Sequence, residues 1–218
     1  MNNNQCDAAV KKEYSTKEIQ SVILSIAKDI DMFCRKHNIT YYLMGGSALG
    51  AMRHKGFIPW DDDLDIFMTR NNYERFITLF QQEGDSKKYF LQCENTKEWP
   101  LFLSRVCRLG TTMVSNEFKY NLKQQHNVFV DIMCLYSAPR KKREHILQYI
   151  CSQLLRVNAL EHCSFPNRNI FKRVAMKGSR VLVNTVTRAG LIKSVQKFEG
   201  KAQKPYHRDE YSSCGDHG

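Results

Sequence analysis

The feature that most restricts the fold of this chain is a turn of small residues followed, at a short distance, by alternating aspartates. Fifteen residues separate Gly45-Gly46-Ser47 from Asp63-Leu64-Asp65-Ile66. Successive side chains of a β-strand point to opposite faces, so the second run predicts a strand with both aspartates on one face and both apolar residues on the other. The turn predicts a buried strand over 40–44 that ends there, and a short helix from Ser47 to Arg53.

Two neighbouring carboxylates on one face of a strand repel each other, and a hard, oxygen-binding cation such as Mg²⁺ is the natural partner to relieve that repulsion. A further acid, Asp131, stands in the otherwise apolar run 128–135. If that strand lies beside the first, Asp131 joins Asp63 and Asp65 in a cluster able to hold one or two divalent ions. The alternative is that Asp131 is an edge or capping acid.

The residues around the turn suggest a phosphate site. Gly45 and Gly46 would expose backbone N–H groups at the N-terminus of a helix, next to the Ser47 hydroxyl, where a phosphate is well held. Arg53 and His54 could face a diphosphate, or could instead satisfy the dipole at the C-terminus of the helix. Metal-assisted chemistry on a phosphate ester is predicted by three features together: the small-residue turn, the paired aspartates and the later single aspartate.

Periodicity predicts a mixed α/β order followed by helices. Ser15 and Glu18 have the capping-box spacing, and apolar residues recur at helical intervals behind them, so a helix is expected over 16–37. The other predicted strands are 61–69, 89–93, 101–108, 111–114 and 128–135, with a helix capped by Asn71 or Asn72. Helices are expected over 144–161, 171–188 and 191–198, with breaks at Pro166 and Gly190. We therefore predict a core over 1–138 and a basic helical portion over 139–218, packed together as one structural unit.

Charge is distributed unevenly along the 218 residues. Residues 1–138 hold 17 basic and 16 acidic residues, whereas 139–218 hold 16 and 6. A basic surface suits nucleic acid, an anionic membrane or a phosphate-rich substrate, or is simply solvated. Residues 1–15 lack an apolar stretch long enough for a signal peptide, no run is apolar enough to span a membrane, and the eight cysteines fit no usual zinc spacing. These features predict a cytoplasmic protein with reduced thiols.

The run from Leu43 to Ile66, together with Val128 to Ile132, resembles the LicD/fukutin family of the nucleotidyltransferase superfamily. The resemblance covers about residues 15–138. It implies a nucleotidyltransferase-like mixed sheet flanked by helices. In it, Asp63, Asp65 and Asp131 match the metal-binding acids, and Gly46 and Ser47 match the turn that contacts phosphate.

The same resemblance implies a phosphocholine transferase that uses Mg²⁺, with Mn²⁺ as an alternative. The family's usual donor is CDP-choline or a similar CDP-alcohol. A hydroxyl of a cell-surface glycan, a teichoic acid or a lipopolysaccharide precursor attacks the phosphate that carries the choline, and CMP leaves. Asp131 is favoured as the acceptor of the hydroxyl proton, and Trp60 is the first aromatic side chain to test for contact with the quaternary ammonium.

The chain departs from the family's pattern at one place, and two other functions are also considered. The family typically reads aromatic, proline, leucine, acid after the later strand, whereas this chain reads Met133-Cys134-Leu135-Tyr136. A second enzymatic function is nucleotidyl transfer to a small molecule or sugar, with attack at the α-phosphate. A third is an impaired family member that binds a membrane or nucleic acid. In the leading interpretation the basic portion contacts an anionic membrane from the cytoplasmic side or the anionic acceptor, and nucleic acid is not expected as a partner.

Overall fold

The computed structural model describes residues 14–96, 99, 101–112, 119–120, 127–139, 141–160, 163–164 and 188–197. The chain divides into two compact units, Met1–Leu135 and Tyr136–Gly218, and each is described by itself. The predicted boundary at residue 138 lies three residues beyond this division. The packing of both parts as one structural unit stays a prediction.

The first unit is built around a mixed five-stranded sheet. Its elements are α1 Thr16–Lys36, β1 Tyr42–Leu43, α2 Gly45–His54, β2 Asp65–Thr69, α3 Arg70–Glu83, β3 Tyr89–Gln92, β4 Ser104–Arg108, β5 Lys119–Tyr120 and β6 Phe129–Leu135. The strand order in the sheet is β1-β2-β6-β4-β3. Strands β2 and β6 run parallel, and the other neighbouring pairs are antiparallel. The predicted mixed α/β fold is confirmed.

Helix α1 forms where the capping box predicts it. The Ser15 hydroxyl accepts a hydrogen bond from the Glu18 backbone N–H at 3.3 Å, and the Glu18 carboxylate accepts one from the Ser15 N–H at 2.8 Å. These two bonds satisfy N–H groups that a helix start leaves without partners. The buried residues of the helix follow at intervals of three and four: Ile23, Ile26, Ile30 and Cys34.

One face of the sheet carries the hydrophobic core of this unit. Alternate residues of the two central parallel strands are buried in it: Ile66 and Met68 on β2, and Val130 and Ile132 on β6. They form one cluster with the apolar faces of α1 and α3. Since side chains alternate along a strand, Asp65 and Asp131 belong to the opposite face.

Several boundaries differ from the sequence predictions, including the start of β4 at Ser104 rather than residue 101, and four of the differences lie around the predicted site. The expected buried strand over 40–44 is a two-residue edge strand with exposed side chains, because β1 pairs with β2 alone. Helix α2 begins at Gly45 rather than Ser47, so the small residues form its first turn. Strand β2 begins at Asp65 rather than Asp61, where its pairing with β6 begins. Strand β2 leads directly into α3, so Thr69 takes the N-cap position predicted for Asn71 or Asn72.

The second unit contains helix α4 Lys142–Leu160, strand β7 Cys163–Ser164 and helix α5 Arg188–Gln196. Gln148 joins the two helices by donating its side-chain N–H to the Val195 carbonyl at 3.1 Å. Gly190 lies inside α5, so the predicted helix break at this residue is wrong. The predicted helix over 171–188 and the break at Pro166 lie outside the described residues, apart from Arg188. Residues 111–112 form no strand, and 113–114 lie outside the described part.

Two other expectations concern thiols and membrane spans. The cysteines at positions 34, 93, 107, 134 and 151 are free, and those at 34, 107 and 151 are buried. Of the helices in the described ranges, none combines the length and the apolar character that crossing a bilayer requires.

Candidate active site

Three charged side chains stand in register across adjacent strands on the face of the sheet opposite the core. Asp65 on β2 is the direct partner of Asp131 on β6, and Asp131 is in turn the partner of Arg105 on β4. Directly paired residues project from the same face of a sheet. The structure therefore places the two predicted strands side by side, with Asp65 and Asp131 together. We call these three residues the charged row.

Within the charged row, Asp131 and Arg105 form a buried ion pair. The Arg105 Nε donates to Asp131 Oδ1 at 2.6 Å, and one of its terminal nitrogens donates to Oδ2 at 3.3 Å. The guanidinium carbon lies 3.7 Å from the centre of the Phe129 ring and 4.6 Å from that of Trp99. Burial raises the pKa of the Asp131 carboxyl, and the guanidinium partly offsets this. The pair is thus held by bidentate geometry and by cation–π contacts.

Asp63 is not part of a strand. It lies exposed in the segment before β2, so the alternation argument used in the sequence prediction does not apply to it. Its charge is nevertheless coupled to the charged row. Loss of hydration, followed by repulsion from Asp65, raises the pKa of the Asp63 carboxyl to about 6.

The carboxyl of Asp65 responds in the same way. Its pKa is raised to about 6, first by loss of hydration and then by the charges of Asp131 and Asp61, while Arg105 opposes the shift. Five aspartates contribute to this negative region, at positions 61, 62, 63, 65 and 131. A raised carboxyl pKa means that the ionised form lacks compensating positive charge. A bound cation would supply that charge.

The donor chemistry fits a hard divalent cation. Asp63 and Asp65 offer carboxylate oxygens, which Mg²⁺ prefers, and their pKa values are raised first by loss of hydration and then by the neighbouring carboxylates. Among the residues that the structure describes, no group of three or more His, Cys, Asp or Glu side chains is placed so that it could hold a metal ion. Both oxygens of Asp131 are directed to Arg105 instead.

The small residues at the start of α2 lie against residues 61–65, which we call the acidic segment. The Ser47 hydroxyl accepts a hydrogen bond from the Asp65 backbone N–H at 2.8 Å. A Cβ added to Gly46 would lie 2.8 Å from the Asp61 Oδ2, so glycine allows this carboxylate to approach the helix. Gly45 has a φ of +61°, which glycine adopts without steric cost. The predicted phosphate turn and the predicted acids are therefore neighbours.

Gln20 on α1 supports this segment, although the sequence analysis did not identify it. Its side-chain N–H₂ group donates to the carbonyls of Ile58 and Asp61, at 3.0 and 2.7 Å. The available signal was its position three residues before Ile23, on the buried side of the helix, where a polar amide needs partners. The sequence analysis did not identify Arg105 as the partner of an acid either. Its basic side chain within a buried strand was the signal for an acidic partner.

Gly50 brings α2 and the following loop into backbone contact. A Cβ at this position would lie 2.6 Å from the Gly56 carbonyl oxygen and 2.9 Å from the Ile58 nitrogen. We expect Gly50→Ala to lower the free energy of unfolding by about 1–3 kcal/mol, because backbone atoms must move to admit the methyl group. Chemical denaturation of the purified protein measures this loss.

Gly46→Ala is the matched control for this prediction. Its added methyl group meets only the end of the Asp61 side chain, which can rotate away. The free energy of unfolding should stay within about 0.5 kcal/mol of the unmodified protein. Equal stability losses in both variants would show that the close approach at Gly50 is not tighter than that at Gly46.

The remaining predicted site residues occupy exposed positions. Arg53 and His54 lie in the last turn of α2. Because a helix rises about 1.5 Å per residue, Arg53 is roughly 9 Å along the axis from Ser47. Trp60 is 79% exposed and immediately precedes the acidic segment. The structure thus brings Gly46, Ser47, Asp65 and Asp131 together, whereas Arg53 and His54 lie at the far end of α2.

Comparison with known proteins identifies a family and several relatives. Residues 38–177 match the family described as "LicD/FKTN/FKRP, nucleotidyltransferase domain". Over 72 residues the chain is 46% identical to the lipopolysaccharide cholinephosphotransferase LicD of Haemophilus influenzae, a match that covers 33% of this chain and 27% of that protein.

Two uncharacterized rickettsial proteins are also similar. The chain is 35% identical over 81 residues to one from Rickettsia typhi, covering 36% of this chain and 26% of that protein. It is 34% identical over 86 residues to one from Rickettsia prowazekii, covering 38% and 32%. The matches therefore span less than a third of the length of these relatives.

Proposed function

Because this chain belongs to the LicD/FKTN/FKRP nucleotidyltransferase-domain family, we propose that it is a metal-dependent phosphocholine transferase. It moves phosphocholine, or a related phospho-alcohol, from a CDP-linked donor to a hydroxyl of a cell-surface glycan or lipopolysaccharide precursor and releases CMP. The observation that carries this proposal is the direct pairing of Asp65 with Asp131 on one face of the sheet, next to Ser47. The similarity to a cholinephosphotransferase supports the choice of the transferred group.

Asp63 and Asp65 would hold the Mg²⁺ or Mn²⁺ ion, and Asp131 would add a third carboxylate. When bound, such an ion neutralises the negative charge on the transferred phosphoryl group and orients it. The protein's own part is to hold the carboxylates close together. Pairing of β2 with β6 fixes the backbone at positions 65 and 131, so these two side chains start from a rigid framework.

The first turn of α2 would bind the donor's phosphates. The first N–H groups of a helix have no partner within the helix, and they suit an anion. The Ser47 hydroxyl accepts its bond from the Asp65 N–H, which leaves its own hydrogen to donate to a phosphate oxygen.

An acid of this site would take the proton from the acceptor hydroxyl. Asp131 was favoured from the sequence, yet both of its oxygens accept hydrogen bonds from Arg105. Asp63 is exposed, but as a proposed ligand of the cation it would have its charge taken up by the ion, so its metal-free pKa of about 6 does not make it the proton acceptor. The proton would go to a carboxylate of the negative region that does not bind the cation.

Trp60 would contact the quaternary ammonium of choline through its exposed ring. We expect Trp60→Ala to raise KM for the choline-bearing donor about fivefold, which is the size of one exposed cation–π contact, with kcat little changed. Steady-state kinetics measures this, and Trp60→Phe should restore most of the loss. Unchanged KM values in both variants would remove Trp60 from the site.

The proposed function is tested by incubating the purified protein with CDP-choline, Mg²⁺ and lipopolysaccharide that lacks phosphocholine. Mass spectrometry should find phosphocholine on the glycan and an equal amount of CMP. A cytidylylated product would instead support nucleotidyl transfer, and binding without either product would support the non-catalytic alternative. The excess of basic residues after residue 138 supports contact with an anionic membrane or acceptor, which vesicle co-sedimentation tests.

A further inference from the structure

We propose that Arg105 is a built-in competitor for the divalent cation, occupying Asp131 until a cation displaces it and thereby setting the affinity of the site. This inference rests on the proposed cation site. It concerns how tightly that site binds, and its test does not depend on which group the enzyme transfers.

The geometry of the charged row carries this inference. Asp131 stands between Asp65 on one neighbouring strand and Arg105 on the other, at directly paired positions. Both Asp131 oxygens accept from the Arg105 guanidinium, at 2.6 and 3.3 Å. The third carboxylate of the proposed site is therefore engaged by a side chain of the protein itself. A cation at the acids must share Asp131 with Arg105 or replace it.

The surroundings of Arg105 make such an exchange feasible. Its guanidinium lies over the rings of Phe129 and Trp99, at 3.7 and 4.6 Å. These aromatic faces still favour the positive charge after the carboxylate has turned toward a cation. Arg105 can thus stay in place while Asp131 changes partner, and no large rearrangement of the sheet is needed.

A competitor and a purely structural support have opposite effects on cation affinity. If Arg105 only holds Asp131 in place, its removal disorders a ligand and weakens cation binding. If Arg105 competes, its removal deletes a positive charge beside the site and releases the oxygens of Asp131 from the guanidinium, so cation binding tightens at a pH that keeps Asp131 ionised. Coulomb repulsion between the guanidinium and a cation several ångströms away, at the effective dielectric of a protein surface, is large enough to change cation affinity on the order of tenfold.

The first experiment measures Mn²⁺ binding to the metal-free full-length protein by calorimetry, without nucleotide. We expect Arg105→Gln to bind Mn²⁺ about tenfold more tightly than the unmodified protein. Arg105→Lys keeps the charge and should stay within about threefold of it. Arg108→Gln is the matched control. It removes the same charge from the other end of β4, where Arg108 donates to Ser25 at 2.7 Å, and should leave the affinity unchanged.

The second experiment does not depend on whether Arg105→Gln folds. In the unmodified protein, the NMR signal of the Arg105 Nε–H, identified by its loss in Arg105→Lys, should shift as Mg²⁺ is added. The Arg108 signal should not move. If the Arg105 signal stays fixed at saturating Mg²⁺, or if folded Arg105→Gln binds Mn²⁺ no more tightly than the unmodified protein, the inference is wrong. Absence of cation binding in every variant overturns it as well. A fixed Arg105 signal or an unchanged affinity of Arg105→Gln leaves the transferase assay unaffected, so the inference can fail while the proposed function stands.

Discussion

Asp65→Asn is expected to abolish phosphocholine transfer, with kcat lowered by about a thousandfold or more, while the protein stays folded. The substitution removes one of the three carboxylates proposed to hold the cation, and loss of such a charge from a phosphoryl-transfer site removes several kcal/mol of transition-state stabilisation. Product formation under saturating donor and acceptor measures the loss. Ordinary turnover in the variant would refute the metal assignment.

The same variant should be more stable than the unmodified protein when metal is chelated. The pKa of Asp65 is raised from 3.8 to about 6 in the fold, so its ionised form opposes folding at neutral pH. This penalty is absent below about pH 4, where the group is protonated in both folded and unfolded chains. The penalty grows between pH 4 and 6 and reaches its full size above pH 6.

Asp65→Asn should therefore gain about 1 kcal/mol in the free energy of unfolding at pH 7, a value reduced for its partial exposure to solvent, and nothing at pH 4. Denaturation at both pH values, in the presence of a chelator, measures the difference. A variant that is less stable at pH 7 would contradict the charge repulsion on which the cation site depends.

Replacing Asp131, the neighbouring acid in the charged row, should lower the stability of the protein instead of raising it. We expect Asp131→Ala to lower the free energy of unfolding by about 3–5 kcal/mol, because it leaves the buried Arg105 guanidinium without its carboxylate. Thermal and chemical unfolding of the metal-free protein measure the loss.

Asp131→Asn is the control for this effect. The amide keeps the volume and one oxygen acceptor for Arg105, so a smaller loss of about 1–3 kcal/mol is expected. If Asp131→Ala loses less than about 1 kcal/mol, the ion pair does not stabilise the sheet. Replacing Asp65 and replacing Asp131 would then change the free energy of unfolding less differently than their contacts indicate.

Local patterns were sufficient to predict most of the elements of the first unit. The start of α1 follows from Ser15 and Glu18, because a capping box acts between residues three apart and needs no distant partner. Alternation of apolar residues identifies β2, because burial of one sheet face imposes a period of two, and an apolar run interrupted only by Asp131 identifies β6. The boundaries that differed, such as the exposed β1 and the late start of β2, depend on which strand pairs with which.

The sequence by itself determined the residue types of the site: the paired aspartates, the single acid in an apolar strand and the small residues of the turn. Only the tertiary structure decided that Asp65 and Asp131 face each other and that Arg105 holds Asp131. The register between strands more than sixty residues apart is set by the packing of the whole sheet on α1 and α3, which no local pattern contains. Charge neutralisation within this site is therefore a property of the fold.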